Sequence, residues 1–314
     1  MSLPAADEQI LQQIFAGNRR ALSRLITRVE NGGAALVPLL SSLYTRTGKA
    51  YRIGITGPPG AGKSTLTNKL AKSFRAENLT VAIIAVDPTS PFTGGALLGD
   101  RVRMSDIMLD GGIFIRSMAT RGNLGGLSEK ASEVAGVLDA AGFDVVIFET
   151  VGVGQSELDI VSAADTTLVV LVPESGDAIQ AMKAGLMEIA DVFVMNKSDH
   201  AESDKAVHAL LTSIGFRDHN ETTWLPNVVK AVGTTGAGIR EIRAEIEKHK
   251  AHLESRGLLV VKRLERERRF VKAAIEEKWR TAFWSGEREA ELTKLLSEKL
   301  SPYEISERLT QNGF

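Results

Sequence analysis

Apolar residues recur with two different periods along the chain, and the switch between them marks its organisation. Near the N-terminus Ile10, Leu11, Ile14 and Phe15 fall on a helical period, and so do Leu22, Leu25, Ile26 and Val29. Asn18 and Asn31-Gly32-Gly33 punctuate these runs, and Ala34 to Leu43 suggests a third short helix. From Tyr51 onward the pattern changes to short apolar runs separated by amphipathic stretches. The runs Tyr51–Thr56, Val81–Val86, Ile113–Arg116, Val145–Glu149, Leu168–Val172, Val192–Asn196 and Val228–Val232 predict strands. Several are continuous rather than alternating, as expected when helices cover both faces of a parallel sheet. The predicted fold class is therefore α/β, with a doubly wound, mostly parallel sheet.

The last stretch is helical and highly charged. Val260, Leu264, Val271, Ile275 and Trp279 lie at roughly helical spacing among many Arg, Lys and Glu residues. This apolar stripe needs a partner, either its own domain or a second copy of the chain. Ser301-Pro302-Tyr303-Glu304 reads as a capping box with proline at the first helical position. The expected organisation is an N-terminal helical cap over 1–48, an α/β domain over 49–248 and a helical extension over 249–314.

The chemistry begins at the end of the first predicted strand. Gly57-Pro58-Pro59-Gly60-Ala61-Gly62-Lys63-Ser64 fits G-x-x-x-x-G-K-[ST] at every fixed position. Thr65–Phe74 follows as a helix with Leu66, Leu70 and Phe74 on one face. Glycines let such a loop turn its backbone N–H groups inward around phosphate oxygens, and the helix N-terminus adds a favourable dipole. Lys63 is expected to neutralise β- and γ-phosphate charge, and the Ser64 hydroxyl to ligate Mg²⁺.

The base is indicated further along. Asn196-Lys197-Ser198-Asp199 follows an apolar run in the N-K-x-D pattern. Guanine offers N1–H and a 2-amino group, and the Asp199 carboxylate can accept both in a charge-assisted pair. Adenine lacks both donors and would leave the carboxylate unpaired. Asn196 is expected to bridge loops and the Lys197 stem to cover the base. Val232-Gly233-Thr234, after the last strand, stands where a backbone amide can meet the guanine carbonyl. The expected ligands are GTP and GDP with Mg²⁺.

Three acids complete the candidate site. Asp87 and Glu149 end apolar runs, and strand C-terminal ends are where ligands bind in open α/β sheets. Asp100 follows the glycine-rich Thr93–Gly99. With Ser64 they form an oxygen-rich set suited to holding Mg²⁺ and an attacking water.

Composition trims the alternatives. Lys plus Arg number 38 and Asp plus Glu 39, a net charge of −1, so neither nucleic acid nor an anionic membrane is an expected partner. There is no cysteine, which excludes a disulfide framework and a thiolate metal site and fits a reducing compartment. The N-terminus lacks a basic start followed by an apolar stretch, and the longest apolar runs are too short to span a bilayer. A cytoplasmic protein is expected.

The segments GPPGAGKST, AVDPTSPFTGGALLGDRVRM, ETVGVGQSE and NKSD resemble the MeaB/ArgK family, to which the methylmalonic aciduria type A proteins belong. The resemblance covers nearly the whole chain. It implies a SIMIBI-class P-loop GTPase, homodimeric, that serves as a chaperone for an adenosylcobalamin-dependent acyl-CoA mutase of the methylmalonyl-CoA mutase type. Such a chaperone gates cofactor loading and protects or reactivates the mutase. Carried over by motif, Lys63 and Ser64 bind phosphate and Mg²⁺, and Asp87, Asp100 and Glu149 form the Mg²⁺ and switch network.

One departure bears on mechanism. Ras-like GTPases place Asp-x-x-Gly-Gln in the second switch, whereas here the acid is Glu149 and Val153 follows Gly152. Slow hydrolysis in the isolated protein is the expectation, with the partner completing the site. Gln155, Arg101, Arg103 and Arg121 are the candidates to assist. Rival readings are a nickel-delivering metallochaperone GTPase, a P-loop kinase and a binder that holds GTP without turnover. Metal delivery needs a store, and only His249 and His252 share a helix face.

Overall fold

The computed structural model describes residues 3–87, 104, 106–119, 129–150, 156–173, 185–220, 222–284 and 286–311. Its centre is a seven-stranded sheet in which every pairing is parallel. The strands are β1 (Tyr51–Thr56), β2 (Val81–Asp87), β3 (Ile113–Ala119), β4 (Val145–Thr150), β5 (Thr166–Leu171), β6 (Val192–Met195) and β7 (Asn227–Lys230), in the order β3-β2-β4-β1-β5-β6-β7. The chain leaves β1 toward β2 on one side and leaves β5 toward β6 on the other. Adjacent strands whose connections diverge open a crevice above their C-terminal ends.

Helices flank both faces. Among the described residues the helices of the chain are α1 (Ala5–Phe15), α2 (Arg19–Asn31), α3 (Val37–Tyr44), α4 (Lys63–Arg75), α5 (Glu129–Ala140), α6 (Ser156–Ala163), α7 (Leu186–Ile189), α8 (Ser203–Gly215) and α9 (Ile239–Ser255), followed by α10 (Leu258–Phe283), α11 (Gly286–Ser297) and α12 (Pro302–Gln311), of which α11 and α12 belong to a separate C-terminal unit. Strand side chains alternate between two cores. Ile53, Ile55, Val145, Ile147, Val192 and Val194 pack with Leu66, Leu70 and Phe74 of α4 and Ile242 and Ile246 of α9. On the opposite face Ala82, Ile84, Val146 and Phe148 pack with Leu22, Leu25 and Ile26 of α2 and Val134 and Leu138 of α5. Phe193 and Met195 continue that face with Leu210 and Ile214 of α8. Both faces are buried, which is why the strands read as unbroken apolar runs.

The N-terminal helices are joined to this core. Arg116 on the edge strand β3 pairs with Glu30 of α2, and Arg19 donates to the Asp110 carbonyl. The link from α3 into β1 is held by one buried carboxylate. Asp139 accepts from the N–H groups of Gly48 at 2.7 Å, Lys49 at 3.1 Å and Ala50 at 3.0 Å. Asp139→Ala strands three donors around a buried position. We expect a loss of about 3 kcal/mol in unfolding free energy, measured by denaturant titration.

The chain divides into two compact units, Met1–Val260 and Val261–Phe314. A boundary at 248/249 falls inside α9, a continuous helix whose Ile242, Ile246, His249 and Leu253 are buried. In the second unit Leu295, Ile305 and Leu309 form a small core with Phe283, Leu292 and Leu300. The capping box forms there as predicted. The Ser301 N–H donates to the Glu304 carboxylate at 3.0 Å, and the Glu304 N–H donates to the Ser301 hydroxyl at 3.2 Å. The Ser301 N–H and then the Ser301 hydroxyl, which donates to the same carboxylate at 2.9 Å, hold the Glu304 carboxyl below its ordinary range. Among the described residues no helix is long and apolar enough to cross a membrane.

Candidate functional site

β1 ends at Thr56, and the loop 57–62 turns back into α4 at the middle of the sheet. Three glycines make that turn, with φ of +132° at Gly57, +78° at Gly60 and +84° at Gly62. At two of them space is as restrictive as conformation. A Cβ at Gly57 would stand 2.0 Å from the Val170 carbonyl oxygen of β5. One at Gly62 would stand 2.4 Å from Asn196 Nδ2. Gly62 precedes the first residue of α4 and offers no side-chain cap. The first N–H groups of a helix have no partner within the helix, so those of Lys63, Ser64 and Thr65 face the loop.

Lys63 and Ser64 are both buried, at 6% exposure each. The Lys63 ammonium donates to the carbonyls of Gly57 at 2.7 Å and Pro58 at 2.9 Å. Ser64 donates through its hydroxyl to Glu149 Oε1 at 2.5 Å. The register explains this contact. Glu149 sits opposite Ile55 across the β1–β4 pair, two residues beyond Ile147, and so faces α4. Beneath it Thr150 donates to Thr56 at 3.1 Å, hydroxyl to hydroxyl, with both side chains buried. That pair ties the ends of β4 and β1 directly under the loop. Sequence reading passed over it, although both threonines close apolar runs on the ligand rim.

The purine motif is physically joined to the phosphate loop by one side chain. Asn196, 3% exposed just past the end of β6, donates through Nδ2 to the Ala61 carbonyl at 2.7 Å. Its Oδ1 accepts from the Gly233 N–H at 2.9 Å. The carboxamide therefore clasps loop 57–62 to the loop after β7, and the bridging expected of Asn196 is made. Lys197 holds φ at +54°, an uncommon value for a side-chain-bearing residue, and is half-buried. Ser198 donates from its N–H to the Ala231 carbonyl at 3.0 Å and from its hydroxyl to the Met195 carbonyl at 2.6 Å, so the turn is fixed. Asp199 stands exposed at its end. In the facing loop the Val232 N–H donates to the Ala237 carbonyl at 3.0 Å, and Thr234 is exposed. Thr65 Cγ2 lies 3.4 Å from where a Gly233 Cβ would stand.

Gly62→Ala is expected to force a side chain into Asn196 at a left-handed φ. We predict at least about a tenfold loss of nucleotide affinity together with a destabilisation of about 1–3 kcal/mol. Parallel nucleotide and denaturant titrations check it.

Asp87 is the last residue of β2. Its side chain, Asp100, and the assisting candidates Gln155, Arg101, Arg103 and Arg121 lie outside the described residues. The histidine pair is engaged elsewhere. His249 Nδ1 shares a hydrogen bond with Thr166 Oγ1 at 2.8 Å, that hydroxyl meets Tyr51 Oη at 2.6 Å, and His249 Nε2 is 3.4 Å from Asp191 Oδ1. The Trp224 ring lies tilted against both, 4.9 Å from His249 and 5.3 Å from His252, centroid to centroid. Burial, chiefly, raises the pKa of the Tyr51 hydroxyl far above the ordinary phenol range. Among the described residues no group of three potential metal ligands occurs.

Residues 22–288 match the family model described as "Methylmalonyl Co-A mutase-associated GTPase MeaB". The chain belongs to the MeaB family. Relatives agree across its length. A protein of Pyrococcus horikoshii, named as a GTPase, is 47% identical over 305 residues, 96% of each chain. GTPase ArgK of Escherichia coli is 38% identical over 256 residues, 79% of this chain and 77% of that one. The mitochondrial methylmalonic aciduria type A homolog of Mus musculus is 31% identical over 276 residues, 82% of this chain and 66% of that one. Among solved structures, one titled as a LAO/AO transport system kinase matches with a TM-score of 0.75 at 27% identity, covering 99% of this chain and 98% of its own. As a MeaB-family P-loop protein the chain is a GTPase, hydrolysing GTP to GDP and phosphate.

Proposed function

We propose that the MeaB-family chain is a GTP-dependent chaperone of an adenosylcobalamin-dependent acyl-CoA mutase, gating cofactor loading and protecting or reactivating the client. The observation that supports a switch is the Asn196 clasp. One carboxamide joins the phosphate loop at Ala61 to the purine loop at Gly233. A ligand bridging both loops is therefore sensed by the whole rim, and GTP and GDP stabilise different arrangements of it. The client class follows the name of the family model and of the mouse relative.

The site residues have distinct roles in this reading. Loop 57–62 and Lys63 seat the phosphates, with Ser64 and Thr65 adding the N–H groups of the first turn of α4. Asn196 and Lys197 frame the purine, Asp199 selects guanine, and Val232, Gly233 and Thr234 close over its carbonyl side. The donor set fits Mg²⁺, because Ser64 and Glu149 bring two hard oxygens together on the phosphate side of α4. Asp87 and Asp100 are assigned to the same ion, which when bound neutralises phosphate charge. Glu149, held by Ser64, is placed to orient water, so Glu149→Ala lowers turnover more than binding.

The homodimer is proposed on α10. None of its residues is buried, and Val260, Val261, Leu264 and Trp279 are each about 60% exposed. The nickel-delivery rival loses ground because the ring nitrogens of His249 are taken up by Thr166 and Asp191.

The test is single-turnover GTP cleavage with and without a methylmalonyl-CoA mutase from the same source. Slow cleavage alone and at least about a tenfold rise with the mutase is the expected result. Cleavage already fast in isolation, and unmoved by the mutase, contradicts the proposal.

A further inference from the structure

The pairing of β1 with β4 stops at the edge of the nucleotide site, and a side-chain bond takes over there. The register runs from Tyr51–Val145 to Ile55–Glu149. One residue further the two strands turn to other neighbours: Thr56 pairs with Val169 of β5, and Thr150 pairs with Val86 of β2. Across that parting the Thr150 hydroxyl donates to the Thr56 hydroxyl at 3.1 Å. We propose that Thr150, acting through Thr56, is a positioning residue for GTP hydrolysis: it holds Glu149 where the carboxylate reaches the head of α4, a role that rests on Glu149 as the residue that orients water.

Both threonines adjoin the chemistry without entering it. Thr56 precedes Gly57, where the phosphate loop begins, and Thr150 follows Glu149. Glu149 faces α4 and meets Ser64 there. Alternation along the strands turns Thr150 and Thr56 to the opposite face of the sheet. The pair therefore acts on the site only through the backbone of two strand ends, one carrying the loop and the other the carboxylate.

The environment makes the bond hard to replace. Thr56 is 0% exposed and Thr150 1%. Helix α6 closes this face so tightly that a Cβ at Gly54, two residues before Thr56, would stand 2.7 Å from Ile160 Cγ1. A hydroxyl that loses its partner in such a place has no water to turn to. A valine at position 150 would fill the same space, so burial alone does not account for a hydroxyl there.

The consequence is a split between rate and affinity. A misplacement of about 1 Å at a reacting group can cost about a hundredfold in rate. Phosphate binding depends instead on loop 57–62 and Lys63, which follow β1 and keep their own bonds. Loosening β4 from β1 is therefore expected to slow cleavage and spare binding.

The test is single-turnover GTP cleavage by the full chain with Mg²⁺, beside GDP titration and a thermal scan of each variant. Thr150→Val is expected to slow cleavage at least about tenfold, with GDP affinity within about twofold of the parent. Thr56→Val removes the same bond from the other side and gives the same split, so it decides the matter if Thr150→Val does not fold. The double variant is expected to be no slower than the slower single one, as for two halves of one interaction. Thr150→Ser keeps the hydroxyl and is expected to keep the parental rate. Glu149→Gln separates this role from the reading beneath it. If Glu149→Gln is slow while both valine variants cleave at the parental rate, the positioning role alone is overturned. If Glu149→Gln cleaves at the parental rate, the reading of Glu149 falls and the positioning role with it. Thr150→Ser as slow as Thr150→Val, or rate and affinity lost together in the valine variants, also overturns the role.

Discussion

Asp199→Asn is expected to weaken GTP by about a hundredfold or more and to create affinity for xanthosine triphosphate. The carboxylate has two acceptor oxygens for the two guanine donors. An asparagine keeps one acceptor and turns an N–H₂ toward the other donor, so a charge-assisted pair becomes one neutral bond and one clash. Xanthine presents a carbonyl where guanine has its amino group, and the new N–H₂ then has a partner. The turn that carries residue 199 is fixed by backbone bonds and by Ser198, so the substitution leaves its geometry alone. Competition binding with both triphosphates measures the reversal. Unchanged GTP affinity in Asp199→Asn removes the base assignment.

Lys63→Ala is expected to cost at least about a hundredfold in nucleotide affinity, ~3 kcal/mol or more, because a buried ammonium facing phosphate oxygens makes strong charge-assisted bonds. The fold is expected to survive. Lys63 bonds to the Gly57 and Pro58 carbonyls of its own loop, and the α4 core contacts come from Leu66, Leu70 and Phe74. Calorimetry of the variant with GDP, beside a thermal scan, separates lost binding from lost structure. A variant that binds GDP like the parent contradicts the role given to Lys63.

Much of this architecture was legible because the local pattern and the tertiary demand coincide. β1 and α4 came from an apolar run, a glycine turn and an amphipathic helix, and the phosphate loop lies between them. Differences arise where pairing overrides hydrophobicity. β3 extends to Ala119 because it matches β2 residue by residue as far as Asp87. β5 begins at Thr166 rather than Leu168, since Thr166 and Thr167 pair with β1 while the Thr166 hydroxyl bonds to Tyr51 and His249. β7 ends at Lys230, and Val232 leaves the sheet to bridge Ala237 in the loop clasped by Asn196.

The candidate rim was legible for a different reason. Phosphate and guanine recognition use short contiguous motifs, so spacing alone exposes Gly57–Ser64 and Asn196–Asp199. Contacts between distant segments leave no such trace. The bond from Ser64 to Glu149 depends on strand register. Asp139, near the end of α5, looks like any solvated helix acid, yet it holds the entry to β1. His249, weighed as a metal ligand, belongs to a buried network whose members come from β1, β5, α9 and the turn before β6.

The central claim is that one rim pocket, with the Asn196 clasp at its centre, holds a guanine nucleotide selected by Asp199. Calorimetric titration of the full chain with GDP and with ADP, each with Mg²⁺, tests it most directly. A clear binding heat with GDP and affinity for ADP at least about a hundredfold weaker is the predicted result. Equal affinities, or no heat with GDP, would contradict it.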